Sequence, residues 1–206
     1  MAHSSQGAAV AKPALLVLSQ RLPEILGVSA DVADEILTYW LIPAEPARSY
    51  FRSLISDLAL RFDAPVFEPH VTLYGTKAAD EDPAGALRSA IVNVKVPRLS
   101  VAGLDCSDEF TKTLYVQFQP DAALRRLSEN LQAASVSQSE YKLNPHLSLI
   151  YKTMAPAAKR QIMNSLNLAF TEVDFDSMQA VISPAKIESR EDVEAWRIVA
   201  ARPLIE

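Results

Sequence analysis

The chain has 206 residues, 49% of them hydrophobic and 22% charged, with a formal net charge of −5; this is enough apolar material for one sizeable domain or two small lobes, and too little positive charge for a long hold on duplex nucleic acid. Its single cysteine, Cys106, reads as a half-buried thiol, excludes an intramolecular disulfide or a Cys-based zinc cluster, and suits a reducing compartment. The apolar run ALLVL at 14–18 is far too short to cross a bilayer and lacks the flanks of an export signal, so a cytoplasmic location with no membrane partner is expected.

In chain order, the small and polar opening MAHSSQGAAVAK belongs to a partly disordered N-terminal extension over residues 1–35, ahead of a domain over 36–206. ILTYWLIP (36–43) is an apolar run stopped by Pro43, the pattern of a buried strand. PARSYFRSLISDLALRF (46–62) opens on proline and spaces Tyr50, Phe51, Leu54, Leu58 and Phe62 by threes and fours, which predicts an amphipathic helix. After the Pro-flanked loop DAPVFEP comes the strand HVTLYGT (70–76). DEDPAGALRSAIVNV (80–94) is helical at least in its first half, RLSVAGL (98–104) is a strand, and CSDEFTKT (106–113) is a turn. TLYVQFQP (113–120) is a strand ended by Pro120, and DAALRRLSENLQAAS (121–135) is a helix with Asp121 as its N-cap and Leu124, Leu127 and Leu131 on one face. HLSLIY (146–151) is a strand, APAAKRQIMNSLNLAF (155–170) a helix, EVDFDSMQAVISP (172–184) an alternating strand, SREDVEA (189–195) an exposed, mobile loop, and EAWRIVAARPL (194–204) a last strand.

Strand, helix and strand thus occur twice in the same order, with 27 residues from strand-ending proline to histidine in one copy (43 to 70) and 26 in the other (120 to 146). The expected architecture is α+β and bilobal: two pseudo-symmetric lobes, each an antiparallel-rich sheet backed by helices, around a central groove.

Two of the three histidines stand at matching places in the repeat, in PHVTLYG from Pro69 and PHLSLIY from Pro145. Residues two apart on a strand share a face, so His70 points with Thr72, and His146 with Ser148. An imidazole titrating near neutrality gives or takes a proton, and a hydroxyl donates to an anionic oxygen. Two such pairs lining one groove suit metal-free phosphodiester cleavage, one neutral histidine activating the nucleophile and one protonated histidine serving the leaving oxygen. His-x-Ser/Thr alone is a weak signal, since His3 and Ser5 also match it; the fuller phrase Pro-His-apolar-Ser/Thr-Leu, repeated at the start of two predicted strands, is specific.

From about residue 37 onward the chain resembles the 2H phosphoesterases, and YWLIPAEPARSYFRSLISDLALRF with FEPHVTL and NPHLSLIY is most similar to their cyclic phosphodiesterase branch. The resemblance implies hydrolysis of a small cyclic phosphate, a nucleoside 2′,3′-cyclic phosphate or ADP-ribose 1″,2″-cyclic phosphate, to a monoester without cofactor or metal. It implies that His70 and His146 are catalytic, that Thr72 and Ser148 bind the phosphate, and that Trp40 and Tyr151 line the cleft. From the residues alone, each of these two aromatics is equally well a core side chain. Phe110 and Lys112 read as surface residues or ligand contacts, and Lys77 and Lys152 as solvated lysines or as a positive lining to the groove. Other readings are an enzyme acting on RNA ends, against which the acidic balance speaks, and a non-catalytic nucleotide-binding module, which has no need of two opposed proton-transfer groups. A metal hydrolase is disfavoured because neither tag carries ligands at metal-binding spacing.

Overall fold

The computed structural model describes Met1 and residues 35–204, so the extension expected over residues 1–35 lies almost wholly outside the described residues. Among the described residues, seven strands and five helices follow one another as β1 (Glu35–Pro43), α1 (Ala47–Phe62), β2 (Val71–Lys77), α2 (Pro83–Ala90), β3 (Arg98–Cys106), β4 (Leu114–Phe118), α3 (Ala122–Ala134), β5 (His146–Ile150), α4 (Pro156–Ser165), β6 (Glu172–Pro184), α5 (Arg190–Glu194) and β7 (Arg197–Pro203), with a 3₁₀ turn at Phe110–Lys112 before β4. The α+β expectation holds, and every strand pairing is antiparallel. Cys106 is a half-buried free thiol at the end of β3.

The repeated unit is real at the level of pairing. β1 lies against β2, with Trp40 opposite Thr72 and Leu41 opposite Val71. In the second unit β4 lies against β5, with Tyr115 opposite Ser148 and Val116 opposite Leu147. The helices start where their sequences predict: Asp121 accepts from the Leu124 backbone N–H at 2.9 Å, and Asp82 likewise caps α2 by accepting from Gly85 N–H.

The two lobes are not separate sheets. The strand order is β1-β2-β5-β4-β3-β6-β7, and an additional pairing of β1 with β6 closes the first six strands into a ring. β6 is long enough, at 13 residues, to pair with β3 through Glu172–Asp174, with β7 through Ser177–Ile182, and with β1 along most of its length. Its register against β1 slips between Ile42 and Pro43, a bulge that explains why its buried positions change parity from Val173 and Phe175 to Met178 and Ala180.

Alternation sorts each strand. Leu37, Tyr39 and Leu41 of β1, Val71 and Leu73 of β2, and Leu147 and Leu149 of β5 join Phe51 and Leu58 of α1 and Leu124, Leu127 and Leu131 of α3 in one core. The residues between them, Thr38 and Trp40, His70 and Thr72, and His146 and Ser148, are left for the opposite face, where they line a cavity.

Two local expectations also fail: the helix expected over 155–170 ends at Ser165, and the segment expected as a loop before the last strand is helical. Ser189–Ala195 is not a loop: Arg190–Glu194 is a short helix closed by a capping box, in which the Ser189 hydroxyl takes the Asp192 backbone N–H and the Asp192 carboxylate takes the Ser189 backbone N–H. Val193 is buried beneath it, against Ile55, Phe67 and Tyr151.

Candidate active site

The tags meet at the seam between the lobes. β2 and β5 pair antiparallel at Val71 and Leu147, and those residues are the middles of the two tags. An antiparallel register centred there sets His70 against Ser148 and Thr72 against His146 about a local two-fold axis. All four side chains line one cavity of about 250 Å³.

Each imidazole is held in the same way. The Nδ1–H of His70 donates to the Glu68 carbonyl at 2.6 Å, and the Nδ1–H of His146 donates to the Asn144 carbonyl at 2.8 Å, two residues upstream in both tags. Because a carbonyl can only accept, Nδ1 carries the proton in both rings and Nε2 is the titrating atom. Glu68 is itself fixed from α1, its carboxylate taking Arg48 Nε at 2.7 Å and Arg52 Nε at 2.9 Å.

Their surroundings differ. His70 is 7% exposed, and the Trp40 ring lies flat on it with centroids 3.7 Å apart and planes 10° off parallel. Burial pushes its pKa down from 6.5 to about 4, with repulsion from His146 adding to the fall and the Glu68 carbonyl opposing it. His146 is only half-buried and meets the edge of Tyr115 at 5.3 Å. Burial lowers its pKa as well, the Asn144 carbonyl opposes this, and Lys112 and Glu109 add opposing charge effects.

Trp40 and Tyr151 both line the cavity, and both are packed rather than free, each 4% exposed. Tyr151 stacks on Phe67 at 3.9 Å, as Trp40 does on His70, so each has one face already covered. Thr72 and Ser148 also differ. Among the described residues no side-chain hydrogen bond engages the Thr72 hydroxyl, whereas the Ser148 hydroxyl donates to the Thr111 carbonyl at 2.7 Å. Lys152 does not line the cavity, because its ammonium donates to the Asp63 carbonyl at the end of α1 at 2.8 Å, and exposed Lys77 does not line it either. The lysine that does is Lys112, from the turn after β3; Phe110 packs instead against the Phe67–Tyr151 cluster.

Three cavity residues carry no sequence signal of their own. Trp196 packs edge-on against Trp40, His70 and Tyr151 from the start of β7. Tyr141 donates its hydroxyl to the Thr72 carbonyl at 3.0 Å. Glu109 stands in the same turn as Lys112. Tyr115, which supports His146, has a signal that could have been found: it occupies the place in the second repeat that Trp40 has in the first. Among the described residues, no three His, Cys, Asp or Glu side chains gather where they could hold a cation, and no helix is long and apolar enough to cross a membrane.

Known proteins resemble this one in sequence or in fold. The cyclic phosphodiesterase of Arabidopsis thaliana is 21% identical over 174 residues, covering 82% of this chain and 96% of that protein. The crystal structure of Escherichia coli LigT complexed with 3′-AMP superposes with a TM-score of 0.53 at 13% identity, over 84% of this chain and 99% of LigT. LigT complexed with phosphate gives 0.51 at 12% identity and the same coverage, and both likenesses are of fold. Residues 36–204 match the family described as cyclic phosphodiesterase-like protein. With that match spanning most of the chain and both tags inside it, the protein belongs to the cyclic phosphodiesterase-like family.

Proposed function

We propose that the protein hydrolyses a small cyclic phosphate, a nucleoside 2′,3′-cyclic phosphate or ADP-ribose 1″,2″-cyclic phosphate, to a monoester by metal-independent acid–base catalysis in the cytoplasm. The observation that carries this reading is the matched pair of imidazoles in one cavity, each with Nδ1–H held on a carbonyl and Nε2 left to titrate. The names of the relatives agree with it: one is a cyclic phosphodiesterase, and LigT binds 3′-AMP and phosphate.

The two environments divide the roles. With a pKa of about 4, His70 is neutral at pH 7, and only about one molecule in a thousand would carry the proton an acid needs. His70 is therefore the base: its Nε2 takes a proton from water as the water oxygen bonds to phosphorus. His146 is the acid: its Nε2–H passes to the ribose oxygen whose bond to phosphorus breaks. The Thr72 hydroxyl donates to a non-bridging oxygen, while the Ser148 hydroxyl, its proton on the Thr111 carbonyl, serves the phosphate through the turn it holds. Both histidines then recover their starting forms by exchange with solvent. The cavity suits a mononucleotide-sized ligand.

Purified protein in EDTA is expected to open a 2′,3′-cyclic mononucleotide, and His70→Ala or His146→Ala to lower kcat/KM by ~10²–10⁴. Full activity in either variant overturns the roles. Faster turnover of an oligonucleotide with the same cyclic end would transfer the assignment to RNA ends, and tight binding without turnover to a binding module.

A further inference from the structure

Ser148 matches Thr72 in position, yet its proton is tied to the carbonyl of Thr111. The second lobe therefore meets an incoming phosphate differently from the first, and what stands on that side is the turn itself. Lys112 and Glu109, both in this turn, are the only Lys, Arg, Asp or Glu side chains lining the cavity among the described residues. The Lys112 ammonium lies 4.7 Å from the centroid of the Tyr115 ring, and that ring meets His146 at 5.3 Å, so a positive charge is carried beside the second histidine. Among the described residues no carboxylate forms a salt bridge with it.

The turn is fixed from several directions. Ser107 Oγ donates to the Lys112 carbonyl at 2.7 Å, and the buried Thr113 hydroxyl lies within hydrogen-bond reach of the carbonyls of Glu109, Phe110 and Lys152. The Lys159 ammonium, 4% exposed, donates to the Ser107 carbonyl at 2.7 Å and to Asp108 at 2.6 Å. A cation on so constrained a segment is preorganised for an anion.

We propose that Lys112 is a substrate-contacting residue whose ammonium binds a non-bridging phosphate oxygen on the His146 side, and that Ser148 is the positioning residue holding, through Thr111, the turn that presents it. This rests on the phosphodiesterase reading and extends it to the anion subsite. It also couples binding to proton transfer. The charged and titratable groups around His146 are Lys112 and Glu109 from the turn, His70 from the approach to β2, and Tyr115 from β4. Lys112 works against the His146 proton in the empty cavity; once a phosphate stands between them that repulsion is neutralised, and the acid keeps its proton.

The test uses Lys112→Gln and Lys112→Arg, with inorganic phosphate titrated by calorimetry and a 2′,3′-cyclic nucleotide in steady state. Lys112→Gln is expected to raise both the phosphate Kd and KM about ten- to a hundredfold with a smaller change in kcat, and Lys112→Arg to recover most of the loss. Lys112→Gln also moves the alkaline limb of kcat/KM to higher pH, because His146 loses a repelling neighbour; a merely structural role would leave that limb in place. Ser148→Ala is expected to weaken phosphate binding without adding to the loss in Lys112→Gln, since both act through one turn. An unchanged phosphate Kd in Lys112→Gln overturns the subsite, and additive losses overturn the relay through Ser148. Weakened phosphate binding in Lys112→Gln alongside a wild type that opens no cyclic phosphate would overturn the phosphodiesterase reading and uphold the anion site.

Discussion

The Trp40 ring does more for His70 than line a wall: lying flat on the imidazole at 3.7 Å, it removes water from one whole face of the base. Trp40→Ala is expected to open that face and to raise the acid limb of kcat/KM from near 4 toward the ordinary 6.5, at a stability cost of ~3–5 kcal/mol. Trp40→Phe keeps a ring on the imidazole and leaves the limb near its original position. The check is the pH profile of each variant below its own unfolding temperature; an unmoved limb in the alanine variant would remove Trp40 from control of the base. At this level much of the site is legible in the sequence, because a strand's period of two states outright that His70 shares a face with Thr72 and His146 with Ser148. Trp196 is not legible. It reaches the cavity only through the way β7 packs, and no local pattern marks a side chain whose neighbours, Trp40 and His70, are more than 120 residues away.

The helices and strands that flank the tags are legible for local reasons: Asp121 caps α3, and Leu124, Leu127 and Leu131 recur on one face. The repeat is legible too, though counting from proline misplaces it by two residues. Pairing shows that Trp40 and Tyr115 are equivalent, which puts Phe118, not Pro120, at the place of Pro43. A proline ends a strand wherever the ladder can spare a donor, so it marks a boundary loosely. The five-residue helix α5 carries a signal that charge and polarity mask: Ser189 three residues before Asp192 is a capping box. Its function is to hold Val193 in the cluster of Ile55, Phe67 and Tyr151 and, with Arg190 paired to Asp63 at 2.7 Å, to fasten this end of the chain to α1. Ser189→Ala is expected to cost about 1 kcal/mol and to speed amide exchange over residues 190–196 ahead of the rest of the chain. Uniform exchange across the chain would show that the box does not govern this segment.

The closed ring of strands is the part that no segment announces. β6 meets β1, β3 and β7, and two of those partners are far from it in sequence, so its alternation reveals a half-buried strand without saying which neighbours it joins. The ring nevertheless decides where the tags lie, because the seam of β2 and β5 brings both histidines into one cavity, with His70 at its buried side. The burial of His70 makes stability depend on pH. The folded chain holds His70 with a pKa of about 4 against 6.5 for a histidine in water, so between these values the unfolded chain binds more protons. Stability is whole above pH 6.5, falls as pH drops through the window, and levels off for this group below about 4, a total of about 3 kcal/mol from the ratio of the two constants. His146, shifted in the same direction, adds a loss of the same sign. Denaturant unfolding at pH 7 and pH 4.5 should therefore show a drop in wild type that is much reduced in His70→Gln, while carboxylates such as Asp108 and Asp192, which titrate in both proteins, cancel from the comparison. Inorganic phosphate should also reduce the wild-type drop, since an anion in the cavity lets the folded histidines take up the protons that the unfolded chain would otherwise bind alone. Equal drops in the two proteins would mean that His70 is open to water in solution, and the base would then have to be sought in the other tag.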